Sequence, residues 1–151
     1  MDIKLGLGIE DIHFGMTQDE IESLLGKPDR TCKDEEYGES EPMIQYNSIK
    51  TRLTFYKNNN GKLGYIRSSN PDLKYKNQRI IGKTILESLN VFNDIPKDKW
   101  ELEQYDFWIQ YFNEDWWITL RFDYDKLSEI EIGVPFKNDE EYDWPINNAS
   151  S

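Results

Sequence analysis

The residue types that most often perform covalent chemistry are scarce in this chain. Among its 151 residues it has one histidine, His13, and one cysteine, Cys32. A catalytic nucleophile needs a serine or cysteine held near a histidine, and a conventional zinc site needs three or four side-chain ligands. We interpret His13 as structural or solvated and Cys32 as incidental. The sequence therefore predicts no catalytic residue and no metal site.

Motifs for cofactors are also missing from the sequence. It contains neither the phosphate-binding string Gly-x-x-x-x-Gly-Lys-Ser/Thr nor the dinucleotide-binding string Gly-x-Gly-x-x-Gly. The segment Asp123-Tyr124-Asp125 is too short for an EF-hand loop and is better explained as a hairpin turn. The 29 acidic residues offer so many carboxylate pairs that no pair indicates glycoside hydrolysis. We predict that the chain is not an enzyme and binds no cofactor.

The most informative side chains are aromatic and acidic, and they concentrate in the last third of the chain. Glu114-Asp115 beside Trp116-Trp117 is the densest patch of this kind. Aromatic anchors among charged groups are typical of protein interfaces. The residues that we predict to bind a partner protein are Tyr105, Asp106, Trp108, Phe112, Glu114, Asp115, Trp117, Arg121, Glu129 and Glu131.

The distribution of charge narrows the class of partner. The net charge is −11 and the pI is about 4.6. Residues 1–100 hold 16 acidic and 15 basic residues, whereas residues 101–151 hold 13 acidic and three basic ones. A surface this negative repels phosphate backbones, so we expect no nucleic-acid binding. The acidic third is either a solubilising surface or a face complementary to a basic partner.

Two helix starts position these side chains. Thr17 is followed three residues later by Glu20, and Thr84 by Glu87, which is the pattern of a capping box. A short apolar helix is predicted after each threonine. The apolar residues that should line these helices are Ile21, Leu24 and Leu25 in the first, and Ile85, Leu86, Leu89 and Phe92 in the second.

Short matches at offsets of 64 to 67 residues indicate an internal repeat. Ile44-Gln45-Tyr46 recurs as Ile109-Gln110-Tyr111, and Leu53-Thr54-Phe55 recurs as Leu120-Arg121-Phe122. We predict an α+β fold of two tandem α-β-β-β units, with the helices on one face of the sheet. The predicted boundaries are 1–70 and 71–137 for the two units, which share one compact domain, and 138–151 for an acidic C-terminal tail. The predicted strands are 43–47, 49–57 and 63–69, then 100–105, 107–112, 116–123 and 127–134.

Alternation along the strands predicts which side of the sheet is buried. Leu53 and Phe55 should face the core, as should Ile118, Leu120 and Phe122, with Phe107, Ile109 and Tyr111 beside them. The opposite phase is polar with large aromatic rings: Gln45, Arg52, Thr54, Tyr56, Tyr65, Arg67, Trp108, Gln110, Phe112, Trp117, Thr119 and Arg121. This face is either an interface or is covered by loops or the tail.

The segment from Phe14 to Asp29 resembles a recognised fold family. Its Gly15-Met16-Thr17, acidic helix and Leu24-Leu25-Gly26-Lys27-Pro28-Asp29 are similar to the opening of the β-lactamase-inhibitor-protein-like fold, which the small outer-membrane-assembly lipoproteins share. Residues 80–92 echo this segment weakly. The resemblance implies helical segments packed on one face of an antiparallel sheet. In the inhibitor itself, two tandem units form a concave surface that grips a partner protein.

The resemblance also carries an expectation of function. The chain shows neither a signal peptide nor a lipid-attachment cysteine near its start, and it cannot form an internal disulfide. What remains similar is the class of small, acidic, cytoplasmic immunity proteins, which neutralise bacterial toxins such as basic nucleases by occluding the active cleft. The alternatives are a module that binds a small molecule and an adaptor domain. No membrane span is expected, because the sequence has no run of about 18 apolar residues.

Overall fold

The computed structural model of the chain describes residues 1–34 and 41–145. Two α-helices lie in this part of the chain, Gln18–Leu25 (α1) and Ile85–Val91 (α2). The strands are Ile3–Lys4 (β1), Gly8–Ile9 (β2), Ile12–His13 (β3), Arg30–Asp34 (β4), Glu41–Tyr46 (β5), Thr51–Tyr56 (β6), Lys62–Ser68 (β7), Lys74–Tyr75 (β8), Gln78–Arg79 (β9), Glu101–Gln104 (β10), Ile109–Asn113 (β11), Ile118–Asp123 (β12) and Lys126–Gly133 (β13).

One antiparallel sheet of eight strands dominates the molecule. Its strand order is β10-β11-β12-β13-β7-β6-β5-β4, so β7 and β13 meet in the middle. Their register pairs Ile66 with Ile132 and Arg67 with Glu131. Strands β1 to β3 form a separate small sheet, and β8 pairs with β9 in a two-stranded ribbon.

The apolar side of the large sheet carries the core. Leu53, Phe55, Leu120 and Phe122 are each at most 1% exposed, which confirms the predicted strand phase. Alternation places every second side chain of a strand on the same side, so these residues and their cross-strand partners form one layer. The other buried members of that layer are Ile44, Tyr46, Leu63, Ile66, Ile118, Leu127, Ile130 and Ile132.

The two helices start as the sequence predicts. Thr17 accepts a hydrogen bond from the backbone N–H of Glu20, and the Glu20 side chain bonds back to Thr17, closing a capping box. Thr84 and Glu87 form the second one. The helices contribute Ile21 and Val91 to the same core cluster that lines the sheet.

The prediction of two tandem α-β-β-β units is wrong. The described chain is mostly antiparallel β, and its main strands join into one eight-stranded sheet rather than two helix-plus-sheet units. The helices have only eight and seven residues. The sheet is continuous because β7 and β13 pair with each other, and a contact so distant in sequence has no local signature. Strand β4 was not predicted because Arg30-Thr31-Cys32-Lys33-Asp34 shows no apolar alternation.

Three aromatic or apolar side chains lie where the sequence did not predict them. Phe107 is 84% exposed in the turn before β11, and Leu86 is 77% exposed on α2. Trp116 shares the alternation phase of Ile118 and Leu120, which predicts a buried ring, but it is 43% exposed in the turn before β12 and packs near Gly6. Each of the two aromatic residues lies in a turn, where the alternation of a strand does not apply.

Candidate functional site

The open face of the large sheet, defined here as the side opposite the core, carries a groove. The cavity has a volume of about 950 Å³ and extends over β6, β7 and β10 to β13. Thr119, Glu131 and Arg67 form one row of its floor, because these residues pair across neighbouring strands. The predicted open-face residues Thr54, Tyr56, Tyr65, Arg67, Trp108, Gln110, Phe112, Trp117, Thr119 and Arg121 all line it.

A chain of aromatic rings forms one wall of the groove. Phe112 contacts Trp117 with ring centroids 5.1 Å apart, and Trp117 contacts Phe136 at 5.3 Å. Phe136 stacks on Tyr142 at 4.6 Å, and Tyr142 lies 5.2 Å from Tyr56. The segment after β13 therefore runs along one edge of the groove and links its two ends, while the groove itself stays open.

Two glycines allow aromatic rings to lie flat on the sheet. A Cβ atom at Gly133 would lie 2.4 Å from Cδ1 of Trp117, and a Cβ atom at Gly64 would lie 2.2 Å from the ring of Tyr56. Atoms that close would overlap, so a larger residue at either position would displace the ring above it. The position of each ring therefore depends on the absence of a side chain at the glycine beneath it.

The turn between β11 and β12 is held by a buried asparagine. Asn113 donates to the backbone oxygen of Lys99 at 3.1 Å and accepts from the backbone N–H of Trp116 at 2.8 Å. Trp117 then has a φ of +54°, and its carbonyl accepts from the Gly133 N–H at 2.9 Å. A left-handed backbone is uncommon for a bulky residue. This conformation turns the ring back over the sheet, toward Gly133.

A second stack forms the opposite wall. Tyr105 and Trp108 flank the hairpin turn between β10 and β11, and their rings stack at 4.6 Å. The guanidinium of Arg121 lies 4.4 Å from the centroid of Trp108, a cation–π contact worth about 0.5–1 kcal/mol at a partly exposed site. Arg121 also forms an ion pair with Asp123 at 3.2 Å. These contacts fix the orientation of the Trp108 ring.

The carboxylates on and beside the floor of the groove already have partners. Glu131 accepts from the Tyr65 hydroxyl at 2.7 Å, and Glu129 accepts from Nε of Arg67 at 2.7 Å. Burial disfavours the charged form of Arg67, but the charge and hydrogen bond of Glu129, together with the nearby Glu131 and Tyr65, outweigh it and raise the pKa of the guanidinium. The residues that line the groove include three carboxylates and two guanidinium groups, so the groove itself is nearly neutral.

The excess negative charge lies at one end of the groove. Glu114, Asp115 and Asp139 line a hollow of about 420 Å³ that shares Trp117 with the groove, and we call these three residues the acidic rim. None of them forms an ion pair within the described part of the chain, whereas Lys137 in the same hollow pairs with Glu141 at 3.4 Å. A strip of unpaired charge thus adjoins the aromatic wall.

The ten predicted partner-binding residues are divided by the structure. Six of them line the groove: Tyr105, Trp108, Phe112, Trp117, Arg121 and Glu131. Glu114 and Asp115 belong to the acidic rim, and Glu129 lines a smaller cavity next to Arg67. Asp106 is exposed in the β10–β11 turn and lines none of these cavities. Whether these residues bind a partner stays a prediction.

Several groove residues were not among the predicted binding residues. Glu103 lies on β10 and accepts hydrogen bonds from Tyr105 and Gln110 at 2.7 and 3.2 Å. Glu41 and Tyr142 reach the groove from the start of β5 and from the C-terminal segment. The aromatic composition after Pro135 was the only sequence signal for Tyr142, because its contacts with Tyr56 and Phe136 depend on how the tail docks.

The described residues offer little for covalent or metal chemistry. Within residues 1–34 and 41–145, no group of three or more His, Cys, Asp or Glu side chains is placed to hold a metal ion. Nε2 of His13 lies 2.9 Å from the backbone oxygen of Glu10. In the same ranges neither helix is long and apolar enough to cross a membrane. What the site offers is a shaped surface of rings and charges.

Comparisons with known proteins give one similar fold. No protein-family model matches the chain, and no curated protein matches it either. It is similar to the crystal structure of an extracellular protein containing an SCP domain, from Bacillus anthracis str. Ames, with a TM-score of 0.53 and 15% sequence identity. The similarity covers 79% of this chain and 43% of that protein. At this identity the likeness concerns the fold alone.

Proposed function

We propose that this chain is a cytoplasmic immunity protein that binds a cognate bacterial toxin, a basic nuclease, and occludes its active cleft without catalysing a reaction. The observation that carries the proposal is an open groove whose aromatic walls are fixed in place beside an acidic rim. Trp108, Phe112 and Trp117 are partly buried on the open face of the sheet, and none of them belongs to the hydrophobic core. Preformed aromatic anchors with polar surroundings are typical of the energetic centre of an interface.

The charge distribution supports a basic partner. The acidic rim holds Glu114, Asp115 and Asp139 without ion pairs among the described residues, and more acidic residues follow in the C-terminal segment. Opposite charge accelerates the encounter of two proteins, while buried rings slow their dissociation. Residues 14–29 resemble a family in which one member grips a partner protein on a concave surface, and this resemblance agrees with a protein-binding role for the groove.

Co-expression tests the proposal directly. The gene that neighbours this one in its genome is expressed in a sensitive bacterium with and without this chain. We expect the chain to restore growth and to copurify with the toxin. The double variant Trp108→Ala/Trp117→Ala should lose rescue while remaining folded. The matched control is Trp116→Ala, which removes an equally large ring that lines neither the groove nor the hollow at the acidic rim. Absence of rescue by the wild type, with both proteins expressed, would contradict the proposal.

A small-molecule-binding module is the second candidate, because a volume of about 950 Å³ lies within the range of ligand sites. Such a module would show a ligand-dependent rise in melting temperature when a library of aromatic and sugar-like compounds is screened. The Trp108→Ala/Trp117→Ala variant should abolish that rise. A positive screen together with no rescue by the wild type would favour this alternative.

A further inference from the structure

A second, smaller cavity adjoins the groove at its other end. It has a volume of about 280 Å³ and lies beside the turn between β5 and β6. Arg67 lines both cavities, so the two adjoin on the open face. The cationic residues of the smaller one are Lys50, Arg52 and Arg67, and its acidic residue is Glu129. In a chain of net charge −11, this concentration of positive charge needs a reason.

The two arginines of this cavity are direct cross-strand neighbours. The register of β6 and β7 pairs Arg52 with Arg67, and Gln45 is the partner of Arg52 on its other side. Like charges directly opposite each other destabilise a sheet. The arrangement therefore carries a cost that a bound anion would remove.

The hydrogen bonds show which of the two guanidinium groups has no anionic partner in the described chain. Glu129 takes up the charge of Arg67 through Nε, and the other nitrogens of Arg67 bond to no described side chain. Arg52 donates through Nη2 to the neutral oxygen of Gln45 at 3.1 Å, and no carboxylate of the described chain forms an ion pair with it. A guanidinium has five N–H donors arranged in a planar fork. Most of the donors of Arg52 are therefore available.

We propose that Arg52, together with Lys50 and the terminal nitrogens of Arg67, forms a carboxylate-binding subsite that receives an aspartate or glutamate side chain of the partner segment lying in the groove. The inference rests on the proposed function for the identity of the partner. A carboxylate fits because one guanidinium is uncompensated and the fork of an arginine matches a carboxylate bidentately. The neighbouring Glu129 disfavours a doubly charged phosphate at the same place.

The subsite gives the open face opposite charges at its two ends. The acidic rim lies beyond the Trp117 wall, and the basic cavity lies beyond Arg67. A partner of net positive charge can match both ends of the open face. Its basic residues would lie at the acidic rim, and the segment that crosses the groove would place one carboxylate at the basic cavity. Such a pattern would fix the direction in which the segment lies, because the reverse direction places like charges together.

Nuclear magnetic resonance of the arginine Nε–Hε groups tests the subsite without any partner. The protein is titrated with sodium acetate and separately with sodium chloride at equal ionic strength. We expect a saturable shift of the Arg52 and Arg67 signals with acetate, with a midpoint of roughly 10–100 mM, as a few charge-assisted hydrogen bonds provide. Arg121 should not respond, because Asp123 and Trp108 already engage it. Equal, unsaturable shifts at every arginine would overturn the subsite.

Two variants and one further anion complete the experiment. Arg52→Gln should abolish the saturable response at Arg67, whereas Arg30→Gln, in the same row of the sheet but lining neither cavity, should leave it unchanged. Inorganic phosphate that binds more than tenfold tighter than acetate would overturn the assignment to a carboxylate.

The toxin complex separates this inference from the proposed function. Arg52→Gln should weaken toxin binding about tenfold, and Arg30→Gln should not. An unchanged affinity would show that the partner does not use the subsite and would overturn the inference while the proposed function stands. Failure of the wild type to bind the toxin at all would instead overturn the proposed function, and the acetate titration would still decide the subsite.

Discussion

The two halves of the open face carry different kinds of side chain. On β10 to β13, the exposed side of the sheet is covered by rings that stack on one another, such as Tyr105 on Trp108 and Phe112 against Trp117. On β4 to β7, the corresponding side carries Tyr56 and Tyr65 towards one end of the strands and Gln45, Arg52 and Arg67 towards the other. Both halves have the same pleat and the same core behind them. The two halves therefore differ in composition: stacked rings prevail around β10 to β13, and two facing arginines lie on β6 and β7.

The glycines show how closely the halves can be compared. Gly133 lies under Trp117 on the aromatic half, and Gly64 lies under Tyr56 on the other half. Trp117 lines both the groove and the hollow at the acidic rim, whereas Tyr56 contacts Tyr142 and Trp144 of the C-terminal segment. Both rings thus line the groove and contact the C-terminal segment, Trp117 through Phe136, but only Trp117 also lines the hollow at the acidic rim.

The largest effect should come from removing the central ring of the aromatic half. Trp117→Ala should cost about 2–4 kcal/mol of toxin-binding free energy, because large anchors at the centre of an interface carry most of it. Tyr56→Ala, the matched change on the other half, should cost about 1 kcal/mol or less. Isothermal titration calorimetry measures both. Equal losses for the two variants would refute the division between the halves.

The next effect concerns the glycines under the rings. Gly133→Ala should lower the free energy of unfolding by about 1–3 kcal/mol, the usual cost of overpacking, and should also weaken toxin binding because it displaces Trp117. Gly64→Ala should lower stability similarly but affect binding less, because it displaces Tyr56. Urea denaturation and calorimetry give the two quantities. If Gly64→Ala weakened binding as much as Gly133→Ala, the tail rather than Trp117 would control the groove.

A smaller effect is expected at the ion pair where the halves meet. Arg67 on β7 and Glu129 on β13 are 2.7 Å apart and partly exposed. A double-mutant cycle with Arg67→Gln and Glu129→Gln should give a coupling energy of about 0.5–1 kcal/mol in urea denaturation. The coupling should shrink at high salt if Coulomb attraction dominates. A coupling of zero would mean that this ion pair does not help to hold β7 against β13.

The smallest effect is a pH dependence on the aromatic half. A hydrogen bond from Ser128 and the nearby Arg121 lower the pKa of Asp123 below its ordinary value of 3.8. The unfolded chain binds the proton more readily, so this stabilisation is complete above about pH 5 and is lost as the pH falls through the lowered pKa. Because Asp123 is partly exposed, we expect less than about 1 kcal/mol.

The measurement is the free energy of unfolding between pH 6 and pH 3. Asp123→Asn should flatten the decline, while Asp125→Asn, at an exposed turn position without an ion pair in the described chain, should leave it as in the wild type. A decline that is the same in all three proteins would assign the pH dependence to other carboxylates.

The starts of the helices and the phase of the strands depend on local interactions, so the sequence predicts them. A threonine followed at three residues by a glutamate satisfies two backbone amides wherever it occurs, so both capping boxes could be recognised in isolation. The alternation around Leu53 and Leu120 likewise predicted the buried face. The open-face residues followed by the same reasoning, and most of the predicted binding residues line the groove.

The arrangement of the sheet could not be predicted this way. Pairing of β7 with β13 joins residues such as Tyr65 and Gly133 that are 68 positions apart, and a short local match carries no information about it. The prediction of two tandem helix-plus-sheet units failed at this point. The sequence analysis missed strand β4 for another reason. Its sequence has no apolar alternation, and its place at the sheet edge comes from pairing with β5.

What the sequence determined by itself is the supply of groups: no clustered nucleophile and base, many rings, and an acidic last third. How these groups combine into a site depends on the tertiary structure, because the groove exists only where distant strands and the C-terminal segment meet. The rings of Phe136 and Tyr142 reach Trp117 and Tyr56 through that docking alone. Likewise Arg52 and Arg67 face each other only because β6 and β7 pair in one register. Side-chain chemistry is local, but a surface is defined by contacts that are distant in sequence.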